Sequence, residues 1–109
     1  MSPFTKRVIE LIAQIPPGKV MTYGQIAKFA GSPRAARQVV RILHSMSSKY
    51  SLPWHRVVNA QGEIAIRDEE ASGYQRFMLE EEGVSFSGHK VKLSVSLFEP
   101  EEWEMGKDY

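Results

Sequence analysis

The chain has 109 residues, of which 42% are hydrophobic and 25% are charged, a composition typical of one soluble globular domain with a single core. It contains no cysteine, which excludes disulfides, thiolate nucleophiles, cysteine-based zinc sites and iron–sulfur clusters. A formal net charge of +1 is too small for a strongly basic nucleic-acid-binding protein, so binding of that kind would depend on where the charges lie.

Two amphipathic helices are predicted first along the chain. Apolar residues recur at three- and four-residue steps: Phe4, Val8, Leu11, Ile12 and Ile15. This spacing predicts a helix that the Pro-Pro-Gly of residues 16–18 ends. In the next element Thr22 and Gln25 have the spacing of a capping box, in which each side chain caps the backbone of the other residue, and Gly31 closes this short helix.

A third helix follows after only two or three residues, which is the spacing of a helix-turn-helix. Its predicted N-cap is Ser32, with Pro33 in the first helical position and Met46 near its end. On a helical wheel its basic residues share one face: Arg34, Arg37, Arg41 and His44. Its apolar residues share the opposite face: Ala36, Val39, Val40 and Leu43. The second helix of a helix-turn-helix usually lies against DNA, and an ordinary solvated face is the alternative.

The second half of the chain predicts a small hairpin and a fourth helix. Two β-like runs, residues 56–58 and 63–66, are joined by an Asn-Ala-Gln-Gly turn and predict a hairpin or wing. Asp68 is expected to cap the fourth helix and Gly83 to end it. Four of its residues are expected to point inward: Ala71, Tyr74, Phe77 and Met78.

These elements predict a mainly α fold with a small β hairpin, of the winged-helix-like or helix-turn-helix DNA-binding class. We expect a single domain over residues 1–109, within which residues 88–109 form a partly disordered tail that ends in an acidic stretch.

The sequence Pro-Trp-His-Arg-Val occupies residues 53–57. By itself Trp54 is typical of a core residue, and His55 of a histidine bonded to the backbone. Together with three other segments, residues 53–57 resemble the DNA-binding, active-site domain of the 6-O-alkylguanine-DNA alkyltransferases, whose signature is Pro-Cys-His-Arg-Val. Those segments are IPPGKVMTYGQIA, GSPRAARQV and LEEEGV, and the resemblance extends from about Phe4 to Ser87.

The resemblance implies a role for each matched residue. Tyr23 corresponds to the tyrosine that crowds the target phosphate and helps to rotate the nucleotide out of the duplex, and Arg37 to the arginine finger that fills the space left by the flipped base. The expected lesion pocket consists of Tyr23, Trp54, His55, Val57 and Arg67. The expected DNA-binding residues are Thr22, Tyr23, Ser32, Arg34, Arg37, Gln38 and Arg41.

Trp54 stands where those enzymes have their nucleophilic cysteine. Irreversible dealkylation needs a sulfur that becomes a stable thioether, and an indole cannot supply one at neutral pH. We therefore expect no catalytic residue, with His55 and Glu82 as remnants of the relay that activates the thiol. The pattern is similar to that of the alkyltransferase-like proteins, which have another residue in place of the cysteine. That resemblance implies binding of DNA containing 6-O-alkylguanine, base flipping without alkyl transfer, and marking of the lesion for nucleotide excision repair.

Two other functions stay open at the level of sequence. His55 and Glu82 could activate a water in a hydrolytic, base-removing enzyme, although a bulky indole beside the histidine would occupy the space of the attacking water. A winged-helix transcriptional regulator could use the basic helix to bind a specific sequence in the major groove.

The expected partners are double-stranded DNA with an alkylated guanine and nucleotide excision repair proteins. No cofactor or metal is expected, since His44, His55 and His89 are scattered without metal-ligand spacing. The apolar runs are short and the N-terminal segment carries both acid and base, so we expect no membrane partner and a cytoplasmic monomer, associated with the nucleoid in a bacterium.

Overall fold

The computed structural model describes residues 1–100 and is mainly helical. Its helices are α1 (Pro3–Gln14), α2 (Tyr23–Phe29), α3 (Ala36–Tyr50), α4 (Glu69–Glu81) and α5 (Leu93–Ser96), with a 3₁₀ turn at Trp54–Arg56. Its strands are β1 (Met21–Thr22), β2 (Val57–Val58), β3 (Phe86–Ser87) and β4 (Lys90–Val91). Within residues 1–100 no helix is both long enough and apolar enough to span a bilayer. The predicted fold class, a mainly α helix-turn-helix domain with small β elements, is confirmed.

The core is built where α1, α2 and α3 meet. Buried apolar side chains come from all three helices: Val8, Leu11, Ile12, Ile26, Ala27, Val39 and Ile42. Strand β1 pairs in parallel with β2, and the paired residues are Met21 with Val57 and Thr22 with Val58. This pairing attaches the start of α2 to the segment that follows the 3₁₀ turn.

The start of α2 has the capping box that its sequence predicts. The Gln25 backbone N–H donates to Thr22 Oγ1 at 3.1 Å, and the Thr22 N–H donates to Gln25 Oε1 at 3.2 Å. Each bond satisfies a backbone donor that the first turn of a helix would otherwise leave without a partner. Asp68 caps α4 as predicted, because its carboxylate accepts from the Ala71 N–H at 2.9 Å.

The predicted bounds of α3 are wrong at both ends. The helix begins at Ala36, because the Ser32 N–H donates to the Ala27 carbonyl at 2.9 Å and so helps to close the end of α2 instead of capping α3. It continues past Met46 to Tyr50 and ends where Ser51 adopts a left-handed φ of 52°. Ser47 is accommodated inside the helix because its hydroxyl donates to the carbonyl four residues earlier.

The predicted hairpin of residues 56–58 and 63–66 is also wrong. The turn between them forms, since the Gly62 N–H donates to the Asn59 carbonyl at 2.9 Å. Val57 and Val58 are both buried, so the strand they form pairs with β1 inside the core instead of with the chain that follows the turn. The antiparallel hairpin of this fold is β3–β4, which reverses at Gly88.

In α3 and α4 the side of the helix that is buried differs from the predicted side. On α4, Tyr74 and Phe77 are each 56% exposed, whereas Gln75 and Leu79 are buried. The polar Gln75 can take an inner position because its amide bonds to backbone carbonyls, and sequence hydrophobicity does not reveal such a bond. On α3, Ile42 is buried and Val40 is exposed.

The first part of the predicted tail is folded. Residues 88–100 include β4 and α5, and the side chains of Val91 and Ser96 are buried. The rest of that tail, residues 101–109, lies outside the described residues.

Gly62 is a position where the fold requires glycine. Its φ is +84°, and a Cβ there would lie 2.7 Å from the Val91 carbonyl oxygen. We expect Gly62→Ala to lower the free energy of unfolding by about 2 to 3 kcal/mol, because it adds both backbone strain and overpacking. Urea denaturation measures this change.

Gly73→Ala is the matched control, because Gly73 lies in α4 and a Cβ there meets nothing within 4 Å. It should raise the free energy of unfolding by about 0.5 to 1 kcal/mol, the usual gain for alanine in a helix. Equal effects of the two substitutions would contradict the packing described for Gly62.

Candidate functional site

The 3₁₀ turn of Trp54–Arg56 is the centre of the candidate site. It is closed by the Arg56 N–H, which donates to the Pro53 carbonyl at 3.0 Å, and by the Val57 N–H, which donates to the Trp54 carbonyl. So tight a turn directs successive side chains to different sides. His55 is 5% exposed, Trp54 is half-buried, and their rings meet edge to face with centroids 6.2 Å apart.

Glu82, which follows α4, binds both polar side chains of the turn. Its Oε2 lies 2.8 Å from His55 Nε2 and accepts from Arg56 Nη2 at 2.7 Å, and its Oε1 accepts from Arg56 Nε at 3.0 Å and from the Gly18 N–H at 3.3 Å. Burial by itself would raise the pKa of Glu82, but the bonds from Arg56, His55 and Gly18 outweigh burial and lower the pKa to about 2. Glu82 is therefore ionised at neutral pH, and His55 Nε2 carries the proton of their hydrogen bond.

Arg56 connects this cluster to the first helix. Its remaining group, Nη1, donates to the Ile15 carbonyl at 2.8 Å, just beyond the end of α1. The guanidinium thus joins α1, the 3₁₀ turn and the end of α4. The sequence by itself indicates no separate role for Arg56. The available signal was that Arg56 and Glu82 lie in two segments that both resemble the same family, Pro-Trp-His-Arg-Val and LEEEGV.

Gln75 is a second residue that the sequence analysis missed. Its amide Nε2 donates to the carbonyls of His55 and Val57, at 3.0 and 3.1 Å, and so fixes the backbone on which His55 stands. No pattern in the sequence indicates this role, because the carbonyls that Gln75 binds lie 20 and 18 residues away along the chain.

Two buried polar atoms near the turn have no hydrogen-bond partner among the described residues, His55 Nδ1 and Gln75 Oε1. Because Nε2 of the imidazole is bonded to Glu82, Nδ1 is the ring nitrogen left to bond to a group placed beside it. A general base needs a reactive group to deprotonate, and the chain has no thiol to serve as one.

The other predicted pocket residues differ in exposure. Tyr23 begins α2, is half-buried against the core, and its pKa is raised by burial. The β1–β2 pairing brings the chain beside Tyr23 close to the chain that follows Trp54. Val57 is buried at 1% exposure, so it packs in the core that supports the turn and does not line an open surface. Arg67 is exposed just before α4.

The predicted DNA-binding residues lie along the helix-turn-helix. Five of them are exposed in α3 or in the turn before it: Ser32, Arg34, Arg37, Gln38 and Arg41. The last three belong to α3, whose buried side carries Val39 and Ile42. Thr22 differs from these five because its hydroxyl accepts from the Gln25 N–H as the cap of α2.

The described part of the chain, residues 1–100, has no group of three or more histidine, aspartate or glutamate side chains that could bind a metal ion.

Comparisons with known proteins identify the family that the chain matches and two of its relatives. Residues 3–84 match the family model described as 6-O-methylguanine DNA methyltransferase, DNA binding domain. The chain is 49% identical over 85 residues to a DNA base-flipping protein of Escherichia coli, a match that covers 78% of this chain and 65% of that protein. It is 39% identical over 106 residues to alkyltransferase-like protein 1 of Schizosaccharomyces pombe, which covers 92% of this chain and 98% of that one.

A solved structure extends the comparison to three dimensions. The crystal structure of S. pombe Atl1 in complex with damaged DNA containing O6-carboxymethylguanine superposes with a TM-score of 0.79 at 37% sequence identity. The superposition covers 92% of this chain and 98% of the other.

The low pKa of Glu82 makes part of the stability dependent on pH. The folded-state pKa, about 2, lies below the ordinary value of 4.5, so the unfolded state binds the proton more tightly. The stabilisation is complete above about pH 5, declines as the pH falls through 4.5 towards 2, and amounts to about 2 to 3 kcal/mol. Urea unfolding of the wild type and of Glu82→Gln from pH 7 to pH 2 should show a difference that disappears at the acid end.

Glu81→Gln is the matched control, since Glu81 is the exposed residue directly before Glu82, at the end of α4. It should follow the wild-type curve. A Glu82→Gln protein that keeps the wild-type pH dependence below pH 5 would contradict the role given to this carboxylate.

Proposed function

Since the chain belongs to the family of the 6-O-methylguanine DNA methyltransferase DNA-binding domain, and within it to the alkyltransferase-like proteins, we propose that it binds double-stranded DNA containing 6-O-alkylguanine. In this proposal the protein rotates the damaged base out of the duplex and does not remove the alkyl group. Its relatives support the choice of ligand, because one is named a DNA base-flipping protein and another was crystallised with damaged DNA. The matched region spans 65% of the length of the E. coli relative, so base flipping, which that protein's name describes, is only proposed for this chain.

The observation that carries the proposal is an activating pair without a nucleophile. His55 and Glu82 are bonded at 2.8 Å, as a thiol-activating relay would require, but the residue before His55 is Trp54. Alkyl transfer would form a carbon–sulfur bond to a thiolate, and the chain has no cysteine to provide one. A half-buried indole offers an apolar surface to an alkyl group instead, which favours binding over reaction.

The exposed basic face of α3 supplies the attraction to DNA. Arg37 and Arg41 lie one helical turn apart in the second helix of the helix-turn-helix, and Arg34 lies in the turn before it. These guanidinium groups suit phosphate oxygens and base edges. Localised charge of this kind allows a chain of net charge +1 to bind a polyanion.

Base flipping needs groups that offset lost stacking and pairing, a cost of a few kcal/mol. We assign the filling of the vacated space in the duplex to Arg37, and the crowding of the target phosphate to Tyr23 at the start of α2. Trp54 and His55 would contact the flipped base, and exposed Arg67 would add a cation beside the guanine or the backbone.

Binding without transfer leaves the alkyl group in the DNA. Another activity must therefore remove the lesion, and we propose that the complex marks it for nucleotide excision repair. A persistent complex would mark the lesion better than a short-lived one, so slow dissociation is the property that this role requires.

The direct test compares two duplexes that differ only in one base. We expect a duplex with a single 6-O-methylguanine to bind about tenfold or more tightly than the same duplex with guanine, as measured by fluorescence anisotropy at fixed salt. Mass spectrometry of the protein after incubation should show no added methyl group. Equal affinity for the two duplexes would rule out lesion recognition. A methylated protein would show that the alkyl group is transferred, contrary to the proposal.

Arg37 and Arg41 should have different roles although each substitution removes one positive charge. Arg37→Ala should weaken binding to the damaged duplex far more than Arg41→Ala does, because only the finger fills the space left by the base. Arg41→Ala should mainly reduce the slope of log affinity against log salt by about one unit. Titrations at several salt concentrations distinguish the two effects, and equal behaviour of the variants would overturn the assignment of the finger.

A further inference from the structure

Residues 95–98, which we call the C-terminal strap, run beside the segment that leads into α2. The Val20 N–H donates to the Ser96 carbonyl at 2.9 Å, and the Phe98 N–H donates to the Val20 carbonyl at 2.8 Å. Val20 and Leu97 form a parallel bridge. The strap lies beyond residues 3–84, the part of the chain that matches the family domain.

One side chain joins the strap to the start of α2. The amide of Gln25 accepts from the Thr22 N–H through Oε1 at 3.2 Å and donates to the Phe98 carbonyl through Nε2 at 2.6 Å. Both ends of the amide are therefore in use. Tyr23 is the first residue of α2, directly after the cap, so its backbone lies inside the turn that Gln25 closes.

Tyr23 and one residue of the strap also belong to the same hydrophobic cluster. Tyr23 and Phe98 both pack against the core cluster formed around α1, α2 and α3. The phenol is half-buried, so its direction depends on its neighbours as well as on its own backbone. Only Thr22 and Phe98 take part in the side-chain hydrogen bonds that Gln25 makes among the described residues.

We propose that Gln25 is a positioning residue through which the C-terminal strap holds the Tyr23 phenol in the orientation that binding to damaged DNA requires. The proposal rests on the proposed function for its consequence in DNA binding, but the effect of the strap on Tyr23 does not depend on DNA. According to this proposal, residues outside the matched residues 3–84 contribute to the binding of damaged DNA.

Gln25→Glu separates the two bonds of the side chain. Glutamate is a normal capping-box residue at this position, so the variant keeps the acceptor for the Thr22 N–H and should fold. A carboxylate cannot donate to the Phe98 carbonyl, so only the connection to the strap is lost. Gln14→Glu makes the same change of charge at an exposed position at the end of α1 and is the matched control.

Three measurements are made on the wild type and both variants. NMR hydrogen exchange should show faster exchange for the Val20 and Phe98 amides in Gln25→Glu, and the ring resonances of Tyr23 should shift. Affinity for the 6-O-methylguanine duplex should fall about fivefold, the effect expected for the loss of one hydrogen bond, with a smaller change for undamaged duplex. Gln14→Glu should match the wild type in the exchange rates and in the Tyr23 resonances.

Two results would overturn the proposal. In one, the strap amides keep wild-type exchange rates, which would mean that Gln25 does not hold the strap. In the other, the strap loosens while the Tyr23 resonances and the affinity for damaged duplex stay unchanged, which would mean that the strap is a structural support only. If the wild type binds both duplexes equally, the proposed function fails, and the Tyr23 resonances still decide whether Gln25 positions that residue.

Discussion

The carboxylate of Glu82 is the group on which the candidate site depends. It accepts from His55 and Arg56, which are neighbours in the 3₁₀ turn, and from the Gly18 N–H, and both of these segments are far from Glu82 in the sequence. A buried or partly buried charge is tolerated only where such partners replace the water it has lost. The bidentate contact with Arg56 matters most among them, because loss of either Arg56 or Glu82 would leave the charge of the other uncompensated.

The bonds of Glu82 also give the His55–Glu82 pair a role in holding the fold together. In a methyltransferase the histidine and glutamate would serve a thiol. Here the same glutamate also binds Arg56, which in turn holds the end of α1 through the Ile15 carbonyl. The pair thus has a structural purpose that does not involve proton transfer. None of these bonds involves the side chain of Trp54.

The parts of the fold that sequence predicted are those determined by neighbouring residues. The capping box of Thr22 and Gln25 and the cap at Asp68 each involve residues three positions apart, and the exposed arginines of α3 follow from helical periodicity. The inner position of Gln75 and the pairing of β1 with β2 depend on contacts between distant segments, and no local pattern encodes them. For the site, the resemblance supplied His55 and Glu82, while the bonds of Arg56 required the three-dimensional arrangement.

The parallel pairing of β1 with β2 differs from the helices because it depends on contacts between residues that are far apart in the sequence. Helices and their caps form from contacts within a few residues, whereas Met21 and Val57 must close a long loop before they meet. The entropy of that closure opposes the pairing until it is complete, and contacts between distant residues slow folding in small domains. This pairing attaches the turn that bears Trp54 to the start of α2, and we expect it to form later than the helices. In a newly made chain we therefore expect the helices to form first and the candidate site to be completed after them.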